Sequence, residues 1–450
     1  GADRGALMGS ELDTARKLIE LVGGRAEAEA IVASGRAALT RFANSFIHQN
    51  VGEDYVFVSL RLAVDGRVAR GSSNRTDDEG LLALVEGTIE AARLSPVDDV
   101  WPGVAEPVQP PEADNFDEDT AEARPQQRSA IVGSFVEAGP GMDAAGYCDT
   151  HAAREAFANS RGQQVAGRST RATLDGIQQV EGSAGSAHRT SVRLGDLDGA
   201  TAGSLAAERA RRGVGAADLA PGEYQVVLGP EAVATIGIFL SFYGFNGKQV
   251  NEGQSFLELG VQQFDERISL WDDVGEPGGL GVPFDAEGTP RHRLDLITDG
   301  VTVGVAHDRR TAAESGVVST GHAIIGGETS GPVASALVLE NGDEDVEGLI
   351  GHVDQGLYVA TFNYCRILDP KTQVVTGLTR NGTFMIRGGE LAEAVSNLRF
   401  TQSFVEALGP GRVLGVGDDR RFADCEFGPG IVRAPTLRLG CWNFTGGAEG

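Results

Sequence analysis

The chain has 450 residues, of which 41% are hydrophobic and 23% charged. That balance suits a globular protein with a sizeable core and, on length, two domains. Its formal net charge of −26 excludes a nucleic-acid surface, which needs clustered Lys and Arg.

An acidic proteome is the simplest account of the bias; attraction of basic peptides or a basic partner face is the functional one. No stretch reaches the roughly 18 apolar residues of a membrane span. Cys148, Cys365, Cys425 and Cys441 are dispersed and form no CxxC. Buried free thiols in a reducing cytoplasm are therefore expected, rather than a structural zinc site.

In chain order, Glu11–Val22 places Leu12, Ala15, Leu18, Ile19 and Val22 on one helical face. Two strand-like segments follow, Glu27–Ala43 and Tyr55–Ser73, the second turning at Asp65-Gly66. In that segment Val56, Val58, Leu60 and Leu62 alternate with Phe57, Ser59 and Arg61. Thr76 lies three residues before Glu79, the capping-box spacing for a helix over Gly80–Leu94. Residues 11–100 thus sum to an N-terminal α/β unit, and the Pro- and acid-rich stretch 101–125 reads as a linker or surface excursion. Across 126–220 a connecting α/β region is expected. It holds a helix over Asp143–Asn159, alternating segments at Gln164–Thr173 and Gly176–Leu194, and a helix over Ala200–Arg212.

From 221 to 450 the chain reads as a large, curved or barrel-like β-rich domain, so the fold class is α+β. Tyr224–Pro230 begins it as a strand. In Glu231–Val250, Val233, Ile236, Phe239, Leu240 and Tyr243 recur at helical spacing. Pro230 suits the first turn of that helix; the β-branched and aromatic content leaves a strand open as the alternative. Turns are expected at Asp299-Gly300, Asn341-Gly342, Asp369-Pro370 and Asn381-Gly382, with five or six strands over 335–395 and one last strand in the tail. No repeat of fixed period is visible.

The order PGEYQVVLGPEAVA, GKQVNEGQSFLELG, DDVGEPGGLGVPFDAEGTP, RTAAESGVVSTGH resembles the TldD/PmbA (TldD/TldE) family, from Arg41–Asn50 to Ala434–Gly447. That family pairs a zinc peptidase, whose HExxxH motif lies on the helix matching Glu231–Val250, with a metal-free TldE- or PmbA-like subunit. Here the run contains no histidine, so the resemblance is to the metal-free subunit. It implies no cofactor in this chain and zinc in a TldD-like partner. It further implies a shared chamber that degrades or trims unfolded or modified peptides, in the cytoplasm. A homodimer in isolation is compatible with it.

Catalytic zinc needs three protein ligands and an open position, and none of the seven histidines begins HExxH or HExxxH. Cys425, in DCEFGPGIVRAPTLRLG, has a context similar to that of the cysteine ligand in the catalytic subunits but departs from it in spacing and flanking residues; a structural thiol is the expectation. Ser319 and His322, three apart in STGH, invite a nucleophile–base reading, and a structural turn is the simpler one. Phe284, Asp285, Glu287 and Gly288 are a candidate substrate cleft or partner interface, with Ser319, His322 and Cys425 beside them. No catalytic or metal-binding residue is assigned. Two rival readings remain: a homologue that itself acts in peptide or natural-product maturation, and a homo-oligomeric peptide-binding scaffold.

Overall fold

The computed structural model describes residues 9–447. Its first half is α1 (Gly9–Val22), β1 (Glu27–Ala43), β2 (Phe46–Val64), β3 (Arg67–Ser73) and α2 (Asp78–Leu94), then α3 (Glu118–Ala121) and α4 (Pro125–Glu137). β4 (Asp143–Asn159), β5 (Gln164–Val180), β6 (Ser183–Ser191) and α5 (Gly199–Arg212) complete it. The six strands make one antiparallel sheet in the order β3-β2-β1-β4-β5-β6. A helix–three strands–helix unit therefore occurs twice, the two copies meeting at the β1–β4 pairing. The sheet draws its strands from both 11–100 and 126–220, and the residues of 101–117 cross it without regular structure. Val104 and Ala105 are buried there, and Asn115 donates to the carbonyls of Val274 and Gly281.

Asp143–Asn159 is a strand, not the expected helix. Its alanines favour helix in isolation, but pairing with β1 on one side and β5 on the other overrides that preference. The break between β5 and β6 falls at Glu181-Gly182, later than expected. The Asp65-Gly66 hairpin holds, both residues having positive φ. The α2 cap is Asp77, whose side chain accepts from Gly80 N, one residue along from Thr76.

Both faces of the sheet are covered. Val58, Leu60 and Leu62 pack under α1 and α2 with Ala28, Ala30 and Val32, and Leu174 and Ala187 pack under α4 and α5. The alternate positions Glu29, Ser59 and Arg61 are buried too, because the second half of the chain lies against that face.

The second half begins with β7 (Gly222–Leu228), α6 (Pro230–Tyr243), α7 (Gly247–Asn251), β8 (Leu270–Asp272), β9 (Leu294–Thr298) and β10 (Val301–Thr302). It continues with α8 (Arg309–Ser315), α9 (Gly327–Ser330), β11 (Leu337–Leu339), α10 (Val346–Gly351), β12 (Gln355–Asp369), β13 (Val374–Arg387), β14 (Glu390–Ala394), β15 (Leu398–Ser403) and α11 (Phe404–Ala407). β16 (Val413–Val416), β17 (Arg421–Cys425), β18 (Gly428–Ala434) and β19 (Leu437–Gly447) end it. β12-β7-β19-β15-β13 form a ring that the β12–β13 pairing closes, a small barrel. The other sheet runs β10-β9-β8-β11-β18-β17.

Over 335–395 there are four strands rather than five or six, because Asn381-Gly382 is a bulge inside β13 and not a turn. The tail gives two strands, broken at Pro435. α6 is a helix with Pro230 in its first turn. It is apolar all round and lies between the layers, against β12 of the barrel and β17 and β18 of the other sheet. Gly237 permits the approach: a Cβ there would already sit 3.3 Å from Val432.

Candidate functional site at the junction of the two halves

The Phe284–Pro290 loop is a short pinched turn, bridged at its ends. The Asp285 carboxylate holds it, accepting from Glu287 N at 2.8 Å, Thr289 N at 2.9 Å and Ala323 N at 2.9 Å. Burial, and next the Glu287 carboxylate, push Asp285 upward against those three donors. Phe284 packs on Ile31, Phe157 and Val165 of the six-stranded sheet. At Gly288, φ is +69° and a Cβ would meet the Phe157 ring at 2.3 Å, so only glycine fits. Glu287 accepts from Arg61 Nη2 at 2.7 Å and from Arg309 N at 2.9 Å. Arg61 also lies 2.6 Å from Glu29 and 5.0 Å from the Trp101 ring centroid. The structure thus places Phe284, Asp285, Glu287 and Gly288 inside the chain, as a buried ionic clasp between its halves.

Ser319 and His322 do not pair. Ser319 Oγ donates to the His307 carbonyl at 3.1 Å. His322 contacts Thr320 Oγ1 through Nδ1 at 2.9 Å and Asp272 through Nε2 at 3.0 Å. Thr320 Oγ1 is further engaged by His307 N and O, which leaves no free hydroxyl for a nucleophile. Burial alone would raise Asp272; Arg291, 2.8 Å away, and His322 hold it well below the carboxylate range instead. Burial, and then His322, lower His307.

Cys425 ends β17 and its thiol donates to Gly428 O at 3.2 Å. Burial pushes that thiol up to about 12. Next to it Phe427 stacks on Phe242 of α6, centroids 5.4 Å apart, and meets Phe239 at a tilt, centroids 5.8 Å apart. A phenyl wall, without an imidazole on α6, does not fit the zinc that the family resemblance implies for a catalytic member.

A cavity of about 190 Å³ opens at the other end of the junction. Asp175 of β5 and His188 of β6 project into it from the six-stranded sheet; Glu231 of α6, Asp424 of β17 and Arg380 of β13 face them. Bulges in β12 and β13 shape the barrel side: the register shifts beside Asn363 and Arg380, and Tyr364 and Asn381 have positive φ. Glu231 begins α6, where the helix dipole favours a carboxylate, and Arg421 grips both its oxygens at 2.6 and 3.0 Å. Burial would raise Glu231, yet Arg421 brings it down to about 2. Asp424 is raised to about 6, by burial first and then by Asp175 and Glu231, against His188. Ligand atoms of Asp175, His188 and Asp424 all lie within 4.8 Å of one another. Of the residues singled out from sequence, only Cys425 is adjacent to this cavity, through Asp424. The cavity residues were missed because each stands alone on a different strand or helix, with no spacing to betray it.

Residues 221–446, just over half of the chain, match the family model described as PmbA/TldA metallopeptidase C-terminal domain. A metalloprotease of Synechocystis is 27% identical over 204 residues, 42% of this chain and 41% of that protein. A metalloprotease of Methanothermobacter thermautotrophicus is 27% identical over 228 residues, 49% of this chain and 48% of that protein. The match to each relative thus spans less than half of that relative's length. The crystal structure of TldE from Thermococcus kodakarensis superposes with a TM-score of 0.85 at 19% identity, covering 97% of this chain and 100% of that one. On the family-model match and the shared fold, the chain belongs to the TldD/PmbA metallopeptidase family.

Proposed function

We propose that the chain is the non-catalytic, TldE/PmbA-like subunit of a two-subunit zinc metallopeptidase that degrades or trims unfolded or modified peptides. The observation that carries this reading is the wall around α6. Phe239, Phe242 and Phe427 pack together beside Cys425, whose thiol is hydrogen-bonded to Gly428 O, and α6 offers none of the imidazoles that a catalytic member needs there. A TldD-like partner supplies the zinc. This chain supplies walls and backbone: β3 and β14 stand last in their sheets, their outer sides bridged, among the described residues, only at Arg67–Val97 and Val395–Ala217, and an extended peptide adds to such an edge without demanding a sequence. All four cysteines are free thiols, which supports work in a reducing cytoplasm. The rival of a self-sufficient enzyme loses its serine candidate, because Ser319 has no base.

The test is peptide hydrolysis and size-exclusion chromatography of this chain alone, of a TldD-like partner alone, and of the two co-expressed. A joint peak with activity, and no turnover by this chain alone, supports the reading. Unaided cleavage by this chain sinks it.

A further inference from the structure

We propose that Asp175, His188 and Asp424 form a binding site for one divalent transition cation, zinc or manganese, that ties the six-stranded sheet to β17. The proposal is separate from the family's zinc site and does not depend on the subunit reading above.

Three observations converge. The first is spacing. Two ligands about 2.1 Å from a tetrahedral ion stand about 3.4 Å apart. His188 Nδ1 and Asp175 Oδ2 are 3.5 Å apart, and the Asp424 carboxylate completes a triangle within 4.8 Å.

The second is an unused nitrogen. The His188 side chain is 4% exposed, and its Nδ1, aimed at the carboxylates, has no hydrogen-bond partner. Its other nitrogen is 2.8 Å from Thr190 Oγ1, which is 3.2 Å from Thr173 Oγ1. With Nε2–H donating to Thr190, the Nδ1 lone pair is left free for an ion. That is how metal-bound histidines are oriented by their outer contacts.

The third is charge. Among the described residues, no Lys or Arg nitrogen pairs with Asp175 or Asp424. Of the arginines that line or flank the cavity, Arg421 is held by Glu231 and Arg209 by Ser186 O at 2.8 Å and Tyr358 Oη at 3.0 Å, while Arg380 lines the barrel side. Two carboxylates and one imidazole nitrogen converge at the edge of a cavity with no Lys or Arg paired to either carboxylate, and an N/O set of this kind suits zinc or manganese. The cavity side leaves room for water to complete the coordination.

The test is equilibrium dialysis of the full chain, stripped with chelator, against Zn²⁺ or Mn²⁺, with the metal counted by elemental analysis. One equivalent is expected for the native chain and for Cys425→Ser, and none for His188→Ala or Asp424→Asn. Thr190→Val, which alters only the outer contact, should weaken binding about 10- to 100-fold. Circular dichroism checks that each variant is folded, and Thr190→Val carries the test if the ligand variants do not fold. No stoichiometric binding by the native chain would overturn the proposal. Binding unchanged in folded Asp424→Asn and Thr190→Val would also overturn it. Peptidase activity enters none of these readouts, so failure here is distinct from failure of the subunit reading.

Discussion

Replacing Arg61 by Met tests the clasp that joins the two halves. The Arg61 side chain is 9% exposed, and it lies 2.6 Å from Glu29 and 2.7 Å from Glu287, which are 2% and 5% exposed. Methionine matches much of the stem's volume but removes the charge, leaving two buried carboxylates facing each other. Removing one partner of a buried pair costs about 3–5 kcal/mol, and the lost contact with Trp101 adds about 0.5–1 kcal/mol. Burial already raises Glu29 above its ordinary 4.5, against the pull of Arg61; without Arg61 it rises further. A carboxylate raised in the folded state binds its proton before the unfolded chain does. The variant's deficit should therefore be largest at pH 7 and shrink as pH falls toward about 4.5. Equilibrium urea unfolding between pH 7 and pH 5, followed by tryptophan fluorescence and circular dichroism, reads both quantities. A deficit below about 1 kcal/mol at pH 7, or one independent of pH, would refute the reasoning.

Further outcomes follow from the same geometry. Glu231→Gln should cost about 1.5–3 kcal/mol at pH 7, the worth of hydrogen bonds to a charged group. Because Arg421 holds Glu231 down to about 2, its contribution is present above pH 4.5 and lost as pH falls toward 2. The melting temperatures of variant and native chain should thus converge in acid. Gly288→Ala should destabilise more than Gly316→Ala: both have positive φ, but only at Gly288 does the new Cβ strike a ring, that of Phe157. The backbone share is about 1–2 kcal/mol in each, and differential scanning calorimetry separates the two. Trp442→Ala, at the barrel core against Phe362, Phe400 and Phe404, should cost about 3–5 kcal/mol in urea unfolding. Ser319→Ala and Cys425→Ser should leave turnover by the co-expressed complex unchanged, since neither group is free to react.

Local chemistry was legible in the sequence wherever it acts locally. The Asp65-Gly66 turn, the Pro230 helix start and the apolar run through Leu240 each specify their own backbone. The long-range pairings were not. β4 reads as helix by its alanines, and only β1, from far earlier in the chain, makes it the centre of a sheet. The same cause hid the clasp: Arg61 alternates with Leu60 and Leu62 as a solvent-facing residue would, but its face is covered by the 284–290 loop. That loop was singled out from sequence, though as an accessible surface. Asp175, His188 and Asp424 carry no sequence signal at all, since three strands from both halves of the chain bring them together.

The central claim is that the peptide-cleaving chemistry resides in the partner and not in this chain. It is tested most directly by co-expressing the chain with a TldD-like partner whose HExxxH glutamate is replaced by glutamine. The account predicts that the two still co-elute and that turnover disappears. Persistent cleavage by that mixture, abolished instead by a substitution in this chain's own cavity, would contradict it.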